Sequence, residues 1–316
     1  MSEIKKRTTI GGQALIEGIL MRGPKKTAIV VRKKNGEHVI KEEPVGTNSH
    51  AAFWKLPFIR GAVNLWDSMK YGVSALEYSA SFFEDDEDYV PSKFENWIYG
   101  KFGKQKVDDA MMMVAVVIGC LMPVGLFMLL PTILAGLFSF IESNFLKNLL
   151  EGCIRIAIFL AFVIITSKQS DVHRTYMYHG AEHKTIFCYE AGLELNVENV
   201  RKQSRFHPRC GTSFMILMIL VSVVVSTVAQ IIFPGVYAVA WLWVIVKILL
   251  VPVCCGVGYE LLKFCGRHDN FLTRIIAAPG LWLQRLTTVE PEDDMLEIAA
   301  AALTAVIPEN AEDDRW

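Results

Sequence analysis

The sequence predicts a mainly α-helical, polytopic membrane protein with four spans and a small cytoplasmic α+β portion that includes an N-terminal β-hairpin. Three observations carry this. The 316 residues are 52% hydrophobic, with a mean hydropathy of +0.33, which is high for a water-soluble chain of this size. The apolar residues are grouped: neither 110–141 nor 210–246 holds an Asp, Glu, Lys or Arg, and about 20 apolar residues let a helix cross a bilayer core. The polar residues are grouped as well, into 1–109, 168–212 and 263–316.

Residues 1–109 form the N-terminal cytoplasmic segment. "AIVVRKKNGEHVIKEE" sets Asn35-Gly36 between β-rich arms and predicts a hairpin closed by a two-residue type I′ turn. Ile59 to Phe82 has apolar residues at helical spacing, an amphipathic helix packed on the domain or lying on the membrane. Glu84 to Tyr89 is an acidic linker. Upstream, "IGGQALIEGILMRGPKK" carries four glycines with Glu17 and Arg22. It lacks the G-K-[ST] ending of a phosphate loop. It reads as a strand and turn capping the central domain, or as a segment whose Glu17 and Arg22 line a site. No secretory leader is expected in the polar, basic stretch Met1 to Lys34.

Residues 110–167 hold the first two spans. The first covers 110–138 and is kinked at Pro123 and Pro131, which membrane helices tolerate. The second, 149–167, carries Glu151 and Arg155 four apart, positioned to pair. Residues 213–262 hold the other two, 213–233 and 237–262, broken at Pro234-Gly235. Lys247 stands about ten residues inside the fourth. A charge at such depth is costly, so Lys247 either pairs with Glu151 or Glu142 or reaches to the outer interface.

The loops give the orientation. Residues 142–148 hold only Lys147, and 234–240 hold no basic residue. The other side carries Lys101, Lys104 and Lys106, then Lys168, Arg174, Lys184, Arg201, Lys202, Arg205 and Arg209, then Lys263, Arg267 and Arg274. Excess Lys and Arg marks the cytoplasmic side, so both termini and the loop 168–212 belong to the cytosol of a multi-pass plasma (inner) membrane protein. Thiols there stay reduced, in keeping with seven cysteines and no C-x-x-C. In 263–316, "FLTRIIAAPGLWLQRLTTVEP" suits an interfacial helix. "PEDDMLEIAAAALTAVI" suits a terminal helix with an acidic first turn, and "ENAEDDRW" a disordered acidic tail. The lipid bilayer is the expected partner. Net charge −1 with scattered basic residues gives no nucleic-acid footprint, and a homo-oligomer is left open.

The loop 168–212 carries the chemistry. It holds four of the seven histidines: His173, His179, His183 and His207. His179, Glu182 and His183 make H-x-x-E-H, the inverted zincin pattern. Two imidazoles four apart share one helix face and can hold one zinc ion, with Glu182 beside them to take a proton from water. "FHPRCGTS" then sets His207 and Cys210 three apart around Pro208, with Gly211 behind, like a zinc knuckle whose first cysteine is replaced by histidine. The expected metal set is therefore His179, His183, His207 and Cys210. Four protein ligands would make the site structural, and three plus water would make it catalytic. Glu190 is too far along the helix to share the ion, about 10.5 Å of rise from His183, and is expected as a supporting or separate group. Glu198 is the alternative carboxylate. Cys188 reads as core, and His173 as supporting or surface.

"GGQALIEGILMRGP", "YHGAEHKTIFCYE", "VENVRKQSRFHPRCGTSF" and "PGLWLQRLTTVEP" together resemble the signature blocks of the YqhQ-like family of bacterial membrane proteins, also called DUF1385, over residues 10–305. The resemblance implies a multi-span membrane protein, described in that family as a predicted metal-dependent enzyme without an established substrate, and its implied site maps to His179, Glu182, His183, His207 and Cys210. The leading expectation is a zinc-dependent hydrolase at the cytoplasmic membrane face, with Glu182 as base. The alternative is a non-enzymatic transport or scaffold protein with a structural metal site, Lys247 marking the pathway.

Overall fold

The computed structural model describes residues 6–45, 54, 56–83, 92–138, 140–237, 239–268 and 270–314; the acidic linker expected at 84–89 lies outside them. The chain forms two units, one of 1–83, 161–225 and 250–316, the other of 84–160 and 226–249.

The first unit is organised by an antiparallel meander of four strands, β1 (Gly11–Leu15), β2 (Gly18–Arg22), β3 (Lys26–Arg32) and β4 (His38–Pro44), in the order β1-β2-β3-β4. The expected hairpin is β3–β4; the glycine-rich stretch before it supplies two further strands. Alternation puts the two faces to separate uses. Ile19, Met21, Ala28 and Val30 join one core cluster, and Leu15, Leu20, Ile29 and Val31 join another. The β3–β4 turn differs from the type I′ expectation. That turn needs positive φ at both central residues, and of Asn35 and Gly36 only Gly36 has it, at 85°. Asn35 instead accepts the Glu37 N–H on its side chain at 3.0 Å. Lys33 pairs with Glu37 beyond the turn, so the loop has three residues with glycine in the left-handed position.

Helix α1 (Ile59–Ala80) covers one face of the sheet, with Ala75 buried there and Tyr78 and Phe82 packed against the same cluster. Its outer side exposes Trp66, Met69 and Val73. The amphipathic pattern is thus divided between the sheet and the outside. The helices numbered α2 to α5 are Lys93–Phe102, Lys104–Val124, Leu130–Gly136 and Asn144–Thr166. Next come α6 (Ser170–Glu190), α7 (Val197–Arg201), α8 (Gly211–Ile232), α9 (Pro234–Tyr237), α10 (Ala240–Arg267), α11 (Phe271–Thr287) and α12 (Asp293–Val306). On the other face of the sheet lie α6 and α12. Met295, Leu296, Ile298, Ala299, Ala302 and Leu303 of α12 are fully buried against Tyr178, Ala181 and Cys188 of α6 and against the strands. The alanine run lets the helix approach closely. Tail residues 308–314 depart from the expected disorder: Asp314 is buried and accepts from Thr8, Thr9 and Tyr189.

Four helical stretches are long and apolar enough to cross a membrane: Val117–Gly136, Asn144–Thr166, Phe214–Ile232 and Leu242–Arg267. In the first, a π-helical turn at Gly125–Leu129 separates α3 from α4. It lies in the turn before Pro131, because proline removes a donor and crowds the carbonyl four residues back, here that of Phe127, which accepts from Arg155 instead. In the second unit Lys247 donates to both Glu151 oxygens at 2.6 Å and to Thr132 Oγ1 at 2.9 Å. Arg155 donates to Glu151 at 2.6 Å and to the Phe127 carbonyl at 2.7 Å. Of the two partners expected for Lys247, Glu151 is the one it meets.

Candidate metal centre

Helix α6 carries His179, Glu182 and His183 on one side, and the turn before α8 brings Cys210 to them. One donor atom from each of His179, His183 and Cys210 lies within 4.8 Å of the other two. The rings are set by backbone carbonyls. His179 Nδ1 donates to the Thr287 carbonyl at 2.8 Å, and His183 Nδ1 to the Arg205 carbonyl at 2.5 Å. With each Nδ1 held by a carbonyl, Nε2 is the atom that each ring turns toward the cluster, the arrangement a metal ligand needs. His179 Nε2 faces Cys210 Sγ at 3.1 Å. His183 Nε2 is buried and makes no hydrogen bond of ordinary length, acting on the Cys210 thiol only from beyond it, and an orphaned polar atom of this kind carries a desolvation penalty of about 1–3 kcal/mol. A cation held by the three donors would remove it.

Electrostatics favours the same reading. Burial alone would raise the Cys210 thiol, yet the imidazoles of His183 and His179 outweigh it and hold the thiol well below its usual range. Burial alone would lower His179, but the Cys210 sulfur more than compensates and raises it to about 9. Thiolate and imidazolium thus stabilise one another, and a metal ion can stand where the shared proton stands. Two imidazole nitrogens and one thiolate form a donor set suited to zinc, which holds such donors at about 2.0–2.3 Å.

Close packing builds this arrangement. At Gly180 a Cβ would fall 2.1 Å from the Val289 carbonyl, so only glycine lets the segment after α11 lie against α6 and present Thr287. At Gly12 a Cβ would fall 2.8 Å from the Leu20 carbonyl and 3.0 Å from Glu182 Cδ. The bare backbone there donates its N–H to Glu182 Oε1 at 3.1 Å. Burial raises the Glu182 carboxyl above its usual range, with the neighbouring imidazoles opposing. A cavity of about 560 Å³ opens over His179, Glu182, His183 and Cys210.

The fourth expected ligand lies apart from the three. His207 Nε2 is 3.7 Å from Glu190 and 3.4 Å from Arg209, and its ring centroid is 5.6 Å from that of His183. Burial first of all lowers His207 to about 4. Glu190 is buried too, but it is hydrogen-bonded by His207, paired with Arg209 and bonded by the Thr8 N–H, which together hold it below the usual carboxylate range. Glu190 is therefore a supporting group. Glu198 is exposed and pairs with Lys202, Cys188 is core, and His173 is exposed. Glu17 and Arg22 do not line the site. Glu17 binds Arg174, Arg32 and Tyr178, and Arg22 lies over the Tyr71 ring.

Gln284 gave little warning in the sequence beyond being an amide in an apolar helix. It is fully buried, and it accepts the His207 N–H and donates to the His207 carbonyl, both at 2.7 Å. That pairing fixes the turn which delivers Cys210.

The fold and site together describe a protein with four apolar helices of spanning length, a small sheet and a His-His-Cys cluster formed by a polar helix and the turn before α8. A family model, "Protein of unknown function (DUF1385)", matches residues 56–309. The "Uncharacterized protein YqhQ" of Bacillus subtilis (strain 168) is 32% identical over 313 residues, covering 97% of this chain and 95% of that protein. The chain belongs to the DUF1385 family. No solved structure matches it.

Proposed function

We propose that this protein is a zinc-dependent hydrolase of the plasma membrane, its site on the cytosolic side. The supporting observation is the bare, buried Nε2 of His183 converging with His179 and Cys210 beneath an open cavity. Three protein ligands leave a coordination position for water, the pattern of catalytic zinc sites. Zinc, when bound, supplies a Lewis acid and lowers the pKa of water toward 7. Glu182, one residue from a ligand and held by the Gly12 N–H, takes the water's proton and passes it to the leaving group. His207, Glu190 and Arg209 brace the turn. The cytosolic placement is supported by the Lys and Arg bias of the loops.

The transport reading gives Lys247 a mobile role. Its three donors are directed to Glu151 and Thr132, which suits a brace between helices better than a pathway.

Metal analysis of the detergent-purified protein tests the proposal. About one zinc per chain is expected, falling below roughly a tenth in His183→Ala, because removing a ligand weakens affinity by more than the 10–100-fold of a supporting group. Glu182→Gln is expected to keep the zinc yet fail to complement a strain lacking the gene. Full complementation by Glu182→Gln would refute the hydrolase.

A further inference from the structure

Strand β1 is at the edge of its sheet, and its outer side meets the candidate centre. The β1–β2 hairpin closes on the pair Leu15↔Gly18 across a two-residue loop, so residues 11, 13 and 15 direct their backbone groups to β2. The alternate residues, 12 and 14, then direct theirs away from the sheet. An independent contact agrees, since the Gly12 N–H leaves the sheet to reach Glu182 Oε1 at 3.1 Å. One register step along, the Ala14 N–H and C=O point the same way. Space lies on both faces of the strand. The cavity of about 560 Å³ over the centre and a second of about 330 Å³ share Gly11, Gly12 and Gln13, so the strand borders open space on both faces, with Glu182 holding the Gly12 N–H at its edge.

The lining of the larger cavity narrows the ligand. Among the described residues it includes no lysine, and its arginine, Arg209, is engaged by Glu190. Threonines, glycines and apolar side chains make up most of the rest. A phosphoester would need cationic donors, whereas an uncharged amide chain needs backbone donors and acceptors at strand spacing, which the outward Ala14 groups and the Gly12 C=O offer beside the Gly12 N–H that Glu182 holds.

Resting on the hydrolase reading, we propose that the substrate is an extended polypeptide segment that adds to β1 as a fifth strand, which carries a peptide bond past Glu182. Main-chain pairing of this kind gives affinity with little sequence demand. In the reaction, water adds across the C–N bond. Its oxygen and one hydrogen join the carbonyl carbon as the new carboxyl group, the C–N bond breaks, and the other hydrogen, carried by Glu182, goes to the departing amine.

The test uses the full-length, zinc-loaded protein in detergent with a degenerate library of unstructured decapeptides, cleavage being read by mass spectrometry. The wild type is expected to cut peptides and Glu182→Gln to fail. Ala14→Pro removes one outward donor and no bond to β2, as proline on a strand edge allows. Cleavage by it is expected to fall at least tenfold, with zinc content and unfolding temperature retained. Should Ala14→Pro not fold, wild-type protein and substrates N-methylated at alternate amides give the same reading, a loss of at least tenfold in kcat/KM for one of the two registers. Equal cleavage by Ala14→Pro, or equal turnover of both methylated registers, would overturn strand addition. Glu182-dependent hydrolysis of p-nitrophenyl acetate or bis(p-nitrophenyl) phosphate without peptide cleavage would overturn the substrate class and leave the hydrolase standing. Absence of zinc, or of Glu182-dependent hydrolysis of every probe, would remove the hydrolase and this proposal with it.

Discussion

Two buried clusters of polar residues, one in each unit, solve the desolvation problem in opposite ways. In the second unit Lys247 and Arg155 share the Glu151 carboxylate and Thr132 completes the hydrogen bonding, with the ammonium's three donors all used. In the first unit His179, His183 and Cys210 converge, yet His183 Nε2 makes no hydrogen bond of ordinary length. Burying a charge is tolerable when it is paired. Burying a bare ring nitrogen is tolerable only where something else comes to meet it. The satisfied cluster suits a brace between helices, and the incomplete one is the ground on which the zinc proposal rests.

Lys247→Met carries the largest expected effect. Stranding one charge of a buried pair costs about 3–5 kcal/mol, and because Arg155 still holds Glu151 the loss should fall below that, moving unfolding in detergent to lower denaturant while zinc content per folded chain is unchanged. The double variant Lys247→Met/Glu151→Gln should lose more stability than Lys247→Met, since the buried Arg155 guanidinium is then left without its carboxylate. Lost function in stably folded Lys247→Met would return Lys247 to a transport role.

A second, smaller effect concerns Glu17, another fully engaged group. It sits at φ 48° in the β1–β2 loop, an uncommon conformation for a side chain other than glycine, held there by Arg174, Arg32 and Tyr178. Burial alone would raise its pKa; hydrogen bonds from Arg174 and then Arg32 overcome that and bring it from the usual 4.5 to about 2. A folded pKa below the unfolded one stabilises above the unfolded value. The contribution, about 2 kcal/mol after allowance for solvent screening, is therefore complete above pH 4.5 and lost as pH falls toward 2. Glu17→Gln should lower stability by a similar amount at pH 7 and flatten the acid limb of the stability profile between those pH values.

The smallest effect expected is that of Gln284→Leu. It unpairs the His207 backbone without touching a donor atom of the centre. Zinc affinity should fall about tenfold, as for loss of a supporting contact, measured by competition with a chromophoric chelator. An unchanged affinity would mean that the turn holds Cys210 in place unaided.

The helices were legible because their signals are local. Long uncharged runs, the acidic first turn of α12, and the Glu151–Arg155 spacing each depend on residues within a few turns of one another. The β1–β2 strands were less legible, because "GGQAL" and "GILMR" carry no alternation of polar and apolar residues when both faces are covered. Asp314 was missed for a related reason: an acidic tail is ordered only when distant donors, here Thr8, Thr9 and Tyr189, come to it.

By itself, the sequence determined that the chain has four apolar runs of spanning length and that histidines four apart would share one helix face, since both follow from the 1.5 Å rise and 3.6-residue turn of an α-helix. Tertiary structure alone decided which groups complete the constellation. Cys210 joins the pair, His207 turns to Glu190, Gly12 reaches Glu182, and Lys247 meets Glu151. Those choices are made between residues scores of positions apart, where packing and hydrogen-bond satisfaction, rather than periodicity, set which side chains meet.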